Sequence, residues 1–243
     1  MSDRVRVLTA NLWNGRGDPG GFAELVERLA ADVVCTQEMS PEQAEALAGV
    51  LPHGHLEPRR DHNGMGIALR RPASLRRVRL PQRDAHVAEL DPQEWPGLSA
   101  ALEILSVHIV GPHVWPPHRS WPVRRGQLRA LTEYLDTAER RARVLVGDFN
   151  ATRGFPAYQR LLRRLDDGHA QAAGRRGRRP GATWGPRPRA PRVLRIDHAL
   201  TESVHVDDAR VVSIPGGDHS ALVVDLSPED QESGLRKGTV LRN

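Results

Sequence analysis

Two hydrophobic periods alternate along the chain. Residues 4–11, RVRVLTAN, set apolar against polar at every second position, as a half-buried strand does. Phe22, Leu25, Val26 and Leu29 then recur at helical spacing, behind Asp18 as an N-cap and Pro19 as the first helical residue. DVVCTQE (32–38) predicts a buried strand, and Ser40, Pro41 and Gln43 match a capping box that opens a helix through AEALAGVL. Strands follow at GMGIALRR, SLRRVRL, HVAEL and ALEILSVHIV, then a helix over 124–141 marked by Leu128, Leu131 and Leu135. A strand at RVLVGDF and a helix at FPAYQRLLRRL come next. Residues 168–192, rich in Gly, Pro and Arg, predict the longest irregular stretch, and VLRIDHAL, VHVDDARVVSI and HSALVVDL close the pattern with three strands. Period-2 segments in sequential blocks interrupted by helices predict two antiparallel-rich sheets packed face to face, with helices outside.

A chain of 243 residues, 39% of them hydrophobic, is long enough to bury one substantial core. That places a single domain at 1–226 and leaves 227–243 as a flexible tail. No apolar run is long enough to cross a bilayer. MSDRVRVLTA is charged and enters a strand pattern at once, unlike a signal peptide, and Cys35 is the only cysteine, so no internal disulfide can form. A cytoplasmic monomer is expected. The net charge of +5 favours an anionic partner, nucleic acid first. Lys237 is the only lysine, however, so arginine-biased usage explains that charge equally well.

Polar residues collect where strands end. Asn11 closes the first strand, Glu38 follows Gln37 at the end of the second, and His108 stands near the end of LSVHIVG. Asp148 and Asn150 end RVLVGDFN, Asp197 lies in VLRIDHAL, and Asp218 and His219 begin the last strand. Strands of a sandwich share a rim, where scaffolds display reactive groups. Converging carboxylates repel one another and are costly to bury, and a divalent cation removes both problems. Oxygen ligands without a cysteine set favour Mg²⁺ or Mn²⁺. Asp148 and Asn150, two apart on an extended chain, point to the same side. Each residue also has a plainer reading: Asn11 as a turn cap, Asp148 and Asn150 as an Asx turn, Asp197 as a partner of Arg195, His108 as a strand histidine bonded to backbone. His198 alternates to the face opposite Asp197 and reads as structural. His113, His118 and His169 read as solvated loop histidines.

In order and wording, TANLWNG (Asn11), CTQE (Glu38), SVHIVG (His108), GDFNAT (Asp148, Asn150), RIDHAL (Asp197) and GDHSALVVDL (Asp218, His219) resemble the endonuclease/exonuclease/phosphatase superfamily over residues 5–226. The resemblance implies an α+β, four-layer α/β/β/α sandwich, with two mixed, mostly antiparallel sheets flanked by helices. It also implies Mg²⁺- or Mn²⁺-dependent hydrolysis of a phosphate ester. Carried over, Glu38 binds the metal with Asn11 and Asp218 nearby; Asp148 orients or deprotonates the attacking water; Asn150 donates to a phosphoryl oxygen; Asp197 fixes His219, which stabilises the phosphate; and His108 stands near the leaving oxygen. Nuclease members give that last histidine an acidic partner on an earlier strand, and DHNGMGIALRR holds no clear match.

For substrate, Arg176, Arg179 and Trp184 belong to an arginine-rich stretch that feeds the Asp197 strand, where arginine beside a stackable aromatic suits a nucleic-acid strand and a solvated loop is the equal alternative. GPHVWPPHRSWPVRRGQ, with Trp115, Arg119, Trp121, Arg124 and Arg125, lines the leaving-group side or packs a Pro-rich loop onto the core. The expected function is a phosphodiesterase on DNA or RNA. The alternatives are a phosphoesterase for a small phosphorylated metabolite or lipid headgroup, and a catalytically silent nucleic-acid-binding or scaffold protein.

Overall fold

The inter-sheet faces of the strands turn from apolar to polar along their length, and that gradient places the candidate site. In a computed structural model, residues 4–112 and 117–228 are described. The elements run β1 (Val5–Asn11), α1 (Pro19–Arg28), β2 (Val33–Gln37), α2 (Pro41–Ala48), β3 (His53–Glu57), β4 (Met65–Leu69), β5 (Ser74–Val78), β6 (Ala85–Leu90) and β7 (Leu102–His108). They continue with α3 (Pro117–Thr137), β8 (Arg143–Asp148), α4 (Pro156–Leu161), β9 (Asp166–Asp167), α5 (Gly168–Arg175), β10 (Asp197–Glu202), β11 (Val204–Ser213) and β12 (Ser220–Pro228).

Two six-stranded sheets result, ordered β11-β12-β1-β2-β4-β3 and β5-β6-β7-β8-β10-β9. The pairs β1–β2 and β7–β8 are parallel and the other neighbours antiparallel. Val5, Val7, Val33 and Cys35 of the first sheet meet Ile104, Val144, Val146 and Ala199 of the second in a dry layer between them. The opposite side chains are buried as well. Leu8, Ala10 and Val34 pack under Phe22, Leu25 and Leu47 of α1 and α2, and Leu105 and Leu145 under Leu128, Leu131 and Tyr158 of α3 and α4. These are the four layers α/β/β/α.

The Ser40 capping box forms as the sequence predicts, with Gln43 N donating to Ser40 Oγ at 3.3 Å and Ser40 N to Gln43 Oε1 at 3.0 Å. Several boundaries differ. The stretch 168–192 is not irregular throughout: α5 opens it, N-capped by Asp167, whose Oδ1 accepts from Ala170 N at 3.0 Å. The edge strand β3 has no counterpart in the sequence reading, because its residues are exposed or half-buried and leave no apolar period. Helix α3 starts at Pro117, seven residues earlier than the leucine spacing marks, and carries Pro122 inside it. Trp121 therefore stands on a helix and not in a Pro-rich loop. His113 and Trp115 lie outside the described residues, as does 229–243 of the expected tail.

Candidate active site

Asp148 stands at the centre of a polar row. It follows Val144 and Val146 on the inter-sheet face of β8, and its Cα partners are His108 on parallel β7 and Asp197 on antiparallel β10. Below that row lies an intermediate layer, in which Gln37 Nε2 donates to Thr9 Oγ1 and to Ser106 Oγ, both at 3.3 Å. From the other sheet Asn11, which continues Val5 and Val7, donates through Nδ2 to Asp148 Oδ2 at 3.0 Å and to Glu38 Oε1 at 3.3 Å. Two-residue alternation thus runs apolar and then polar on both sheets, and the polar ends meet at one rim.

Two of the predicted groups arrive by turns rather than by strand alternation. Glu38 and Asn150 both adopt left-handed backbone, with φ 54° and 48°. Such a conformation costs roughly 1–2 kcal/mol for a non-glycine residue. At Glu38 it swings the carboxylate onto the site side of β2. At Asn150 it replaces the extended chain that the two-residue spacing predicts. Asn150 N donates to Asp148 Oδ1 at 2.7 Å, closing an Asx turn, and Asn150 Nδ2 donates to Asp148 Oδ2 at 3.1 Å and to Ile109 O at 2.9 Å. The plain reading and the functional one therefore coincide: the turn is what holds Asp148.

His219 Nδ1 lies 2.9 Å from Asp197 Oδ2, and its Nε2 faces Asp148 Oδ2 at 4.0 Å. Burial works against the imidazolium, but the charges of Asp197, Asp148 and Asp218 and the Asp197 hydrogen bond outweigh it and raise the His219 pKa to about 9. Burial, and then the Asp197 charge, pushes the Asp148 carboxyl well above the usual range, against the opposing pull of His219. Asp218 is raised in the same way, chiefly by burial. His108 Nε2 lies 3.7 Å from Glu38 Oε1 and 3.8 Å from Asp148 Oδ2. Asp197 is not the partner of Arg195, which forks onto Asp167 at 2.9 and 2.6 Å. His198, on the opposite face, meets Ala151 O at 2.8 Å. His169 is buried and not a solvated loop residue.

Asn11, Glu38, Asp148, Asn150, Asp218, His219 and Trp184 line one pocket of about 490 Å³. Arg124 also lines it, but it is buried, donating to Val110 O and to Asn150 O. It lies four residues before Leu128, on the apolar stripe of α3, and that spacing marks it as an inward residue. Arg176 and Arg179 are not among the described lining residues, and Arg176 pairs with Asp208. Trp184 bridges Leu194 and His219, so one end of the arginine-rich stretch is fastened to the rim.

Sequence reasoning missed three groups. His62 Nδ1, in the segment DHNGMGIALRR that holds no clear acidic match, lies 2.7 Å from Glu38 Oε2. Arg83 carries a buried nitrogen without a hydrogen-bond partner and feels the charges of Glu38 and Asp148. Thr183 Oγ1 accepts from Ile196 N and Asp197 N at 3.2 and 3.1 Å, fixing the start of β10.

The Endonuclease/Exonuclease/phosphatase family matches residues 8–219. The chain belongs to this family. Its members are hydrolytic phosphoesterases with a nuclease-type fold. Solved structures of similar fold include the family protein of Bacteroides vulgatus, 18% identical with TM-score 0.71 over 93% of this chain and 99% of that one. The protein of Beutenbergia cavernae is 22% identical with TM-score 0.68, over 93% and 72%. The D. rerio TDP2 complexed with single strand DNA product is 13% identical with TM-score 0.69, over 93% and 100%. No curated protein matches the chain in sequence.

Proposed function

We propose that this family member is a divalent-metal-dependent phosphodiesterase acting on nucleic acid. The observation that carries the reading is the row His108–Asp148–Asp197, faced by Asn11 and completed by His219, whose Nδ1 lies 2.9 Å from Asp197 Oδ2. The residues fit a hard dication. Glu38, the Asn11 amide and Asp218 converge on the pocket, and Asp218 Oδ1 is buried with no hydrogen-bond partner. The tightest ligand-like trio is a different one, Asp148, Asp197 and His219, whose donor atoms lie within 4.8 Å of one another. We favour Glu38 with Asn11 and Asp218, because a hard dication prefers an all-oxygen set to one that includes an imidazole nitrogen.

When bound, Mg²⁺ or Mn²⁺ supplies positive charge against the phosphate. Asp148, its proton affinity raised by burial, accepts the proton of the attacking water. His219 offers Nε2–H to a phosphoryl oxygen while Asp197 holds the ring. Both amide hydrogens of Asn150 are engaged, so Asn150 positions Asp148, and a bond to phosphate requires exchanging the one to Ile109 O. His108 faces the same space from β7 and serves the leaving oxygen. Nucleic acid is supported by the net charge of +5 and by the structure of TDP2 with a DNA product.

The test is hydrolysis of bis-p-nitrophenyl phosphate with Mg²⁺ or Mn²⁺, alongside single- and double-stranded DNA, RNA, abasic DNA and sugar phosphates. Asp148→Ala should lower turnover about 10²-fold or more while the protein stays folded. Added Mg²⁺ should raise the unfolding temperature of the wild type and not of Glu38→Ala. No hydrolysis with any divalent ion favours the scaffold reading.

A further inference from the structure

A basic groove leaves the active-site pocket between α3 and α4. Phe155 and Arg124 form the wall that the pocket shares with a second cavity of about 680 Å³, lined also by Trp121, Arg125 and Arg160. Arg160 and Thr132 are in turn shared with a third cavity of about 400 Å³, which continues to Arg140 and Arg163. The three cavities thus run in series from the reacting centre along the outer helices. Trp121 is 44% exposed and lies beside Phe155, ring centroids 5.9 Å apart, at the mouth nearest the site. Arg125, Arg140, Arg160 and Arg163 are exposed and have no carboxylate partner among the described residues. Glu133 on α3 pairs with Arg129 at 2.7 Å, and Asp136, the acid that lines the third cavity, lies 3.8 Å from Arg164, which also holds Glu202 at 3.1 Å.

An exposed tryptophan followed by unpaired arginines is a poor packing arrangement and a good stacking platform with a phosphate track. We infer that this groove binds a single-stranded nucleic acid running on from the scissile phosphate, with a base stacked on Trp121 and phosphates on Arg125, Arg160 and Arg163. The inference rests on the proposed action on nucleic acid and assigns that action its strand path. A single strand fits because Trp121 needs an unpaired base face, which a duplex hides. The fifteen helical steps from Trp121 to Asp136 span about 22 Å at the helical rise, room for roughly six nucleotides of a stacked strand. The groove, and not Arg176 or Arg179, is then the basic surface continuous with the site.

Fluorescence anisotropy of labelled 4-mer and 12-mer single strands and a 12-bp duplex, on an Asp148→Ala background, tests this. The 12-mer should bind more tightly than the 4-mer or the duplex. Arg125→Glu/Arg160→Glu/Arg163→Glu should weaken 12-mer binding at least tenfold and reduce its log–log salt slope by about 2. Trp121→Ala should weaken binding about fivefold or more without changing the slope. Unchanged affinity and slope in both variants, each with a wild-type unfolding temperature, overturns the groove while leaving the nucleic-acid reading intact. Equal binding of the duplex overturns the single-strand assignment. If the Asp148→Ala protein binds no oligonucleotide while the wild type hydrolyses the small diester, the nucleic-acid reading itself fails, and the groove with it.

Discussion

Asn150 shows how much one backbone angle decides. At φ 48° its side-chain amide ties the end of β8 to Ile109 O beyond β7 and holds Asp148 Oδ2, while its backbone N–H holds Asp148 Oδ1. Asn150→Ala removes the side-chain bonds and leaves a polar group of a buried carboxylate less satisfied, at a cost of roughly 1–3 kcal/mol. We expect turnover of bis-p-nitrophenyl phosphate to fall about 10²-fold, because Asp148 loses its fixed orientation. Turnover within twofold of wild type would show that Asn150 positions nothing. At this scale the sequence was informative about identity and silent about route. Residue types at strand ends indicated Asn11, Glu38, Asp148 and His219, but the handedness of the backbone at Glu38 and Asn150 is not written in residue type. Arg124 is the reverse case. Its charge suggested substrate, whereas its helical phase, in register with Leu128, Leu131 and Leu135, already placed it inside.

The strands carry the site only if they keep their register, and Gly147 sets that register between β7 and β8. Its φ is 139°, and a Cβ there would lie 1.9 Å from Val107 O, a backbone atom with nowhere to go. Gly147→Ala must push β8 away from β7 and uncouple Asp148 from His108. A loss on the order of 3 kcal/mol or more is expected in urea unfolding, with activity reduced even where the protein remains folded. A loss below about 1 kcal/mol would mean the pair is not closely held. The elements that position the site were legible, because each is a short apolar run ending in polar or turn residues, or carries a capping box. Those that escaped have weak local signals. β3 is an exposed edge, and α5 spans GHAQAAGR, with two glycines and few apolar residues. It owes its place to the Asp167 cap and to packing of Ala172 and Ala173.

Across the whole molecule, burial sets the response to acid. His86, His169 and His198 are each lowered to about 4, in every case chiefly by burial. In the unfolded chain a histidine protonates near 6.5, so between pH 6.5 and about 4 the unfolded state holds more protons and stability falls as pH falls. One such histidine is worth on the order of 3 kcal/mol across that window. Asp148 acts in the opposite sense: its raised folded pKa favours the folded state as pH drops, so without metal it offsets part of the loss. Three histidines against one strongly raised carboxyl leave acid destabilising, by an amount comparable to the whole stability of a domain, about 5–15 kcal/mol. In EDTA the unfolding temperature should therefore drop steeply from pH 6.5 to 4, and a profile flat to within a few degrees would contradict the burial of these rings. Added Mg²⁺ should oppose the drop only near its upper end, because protons compete as the pH falls for Asp218, whose proton affinity burial raises. The rim that gathers charge for chemistry and the buried histidines outside it thus respond to pH in opposite directions, and metal binding removes the cost only at the rim.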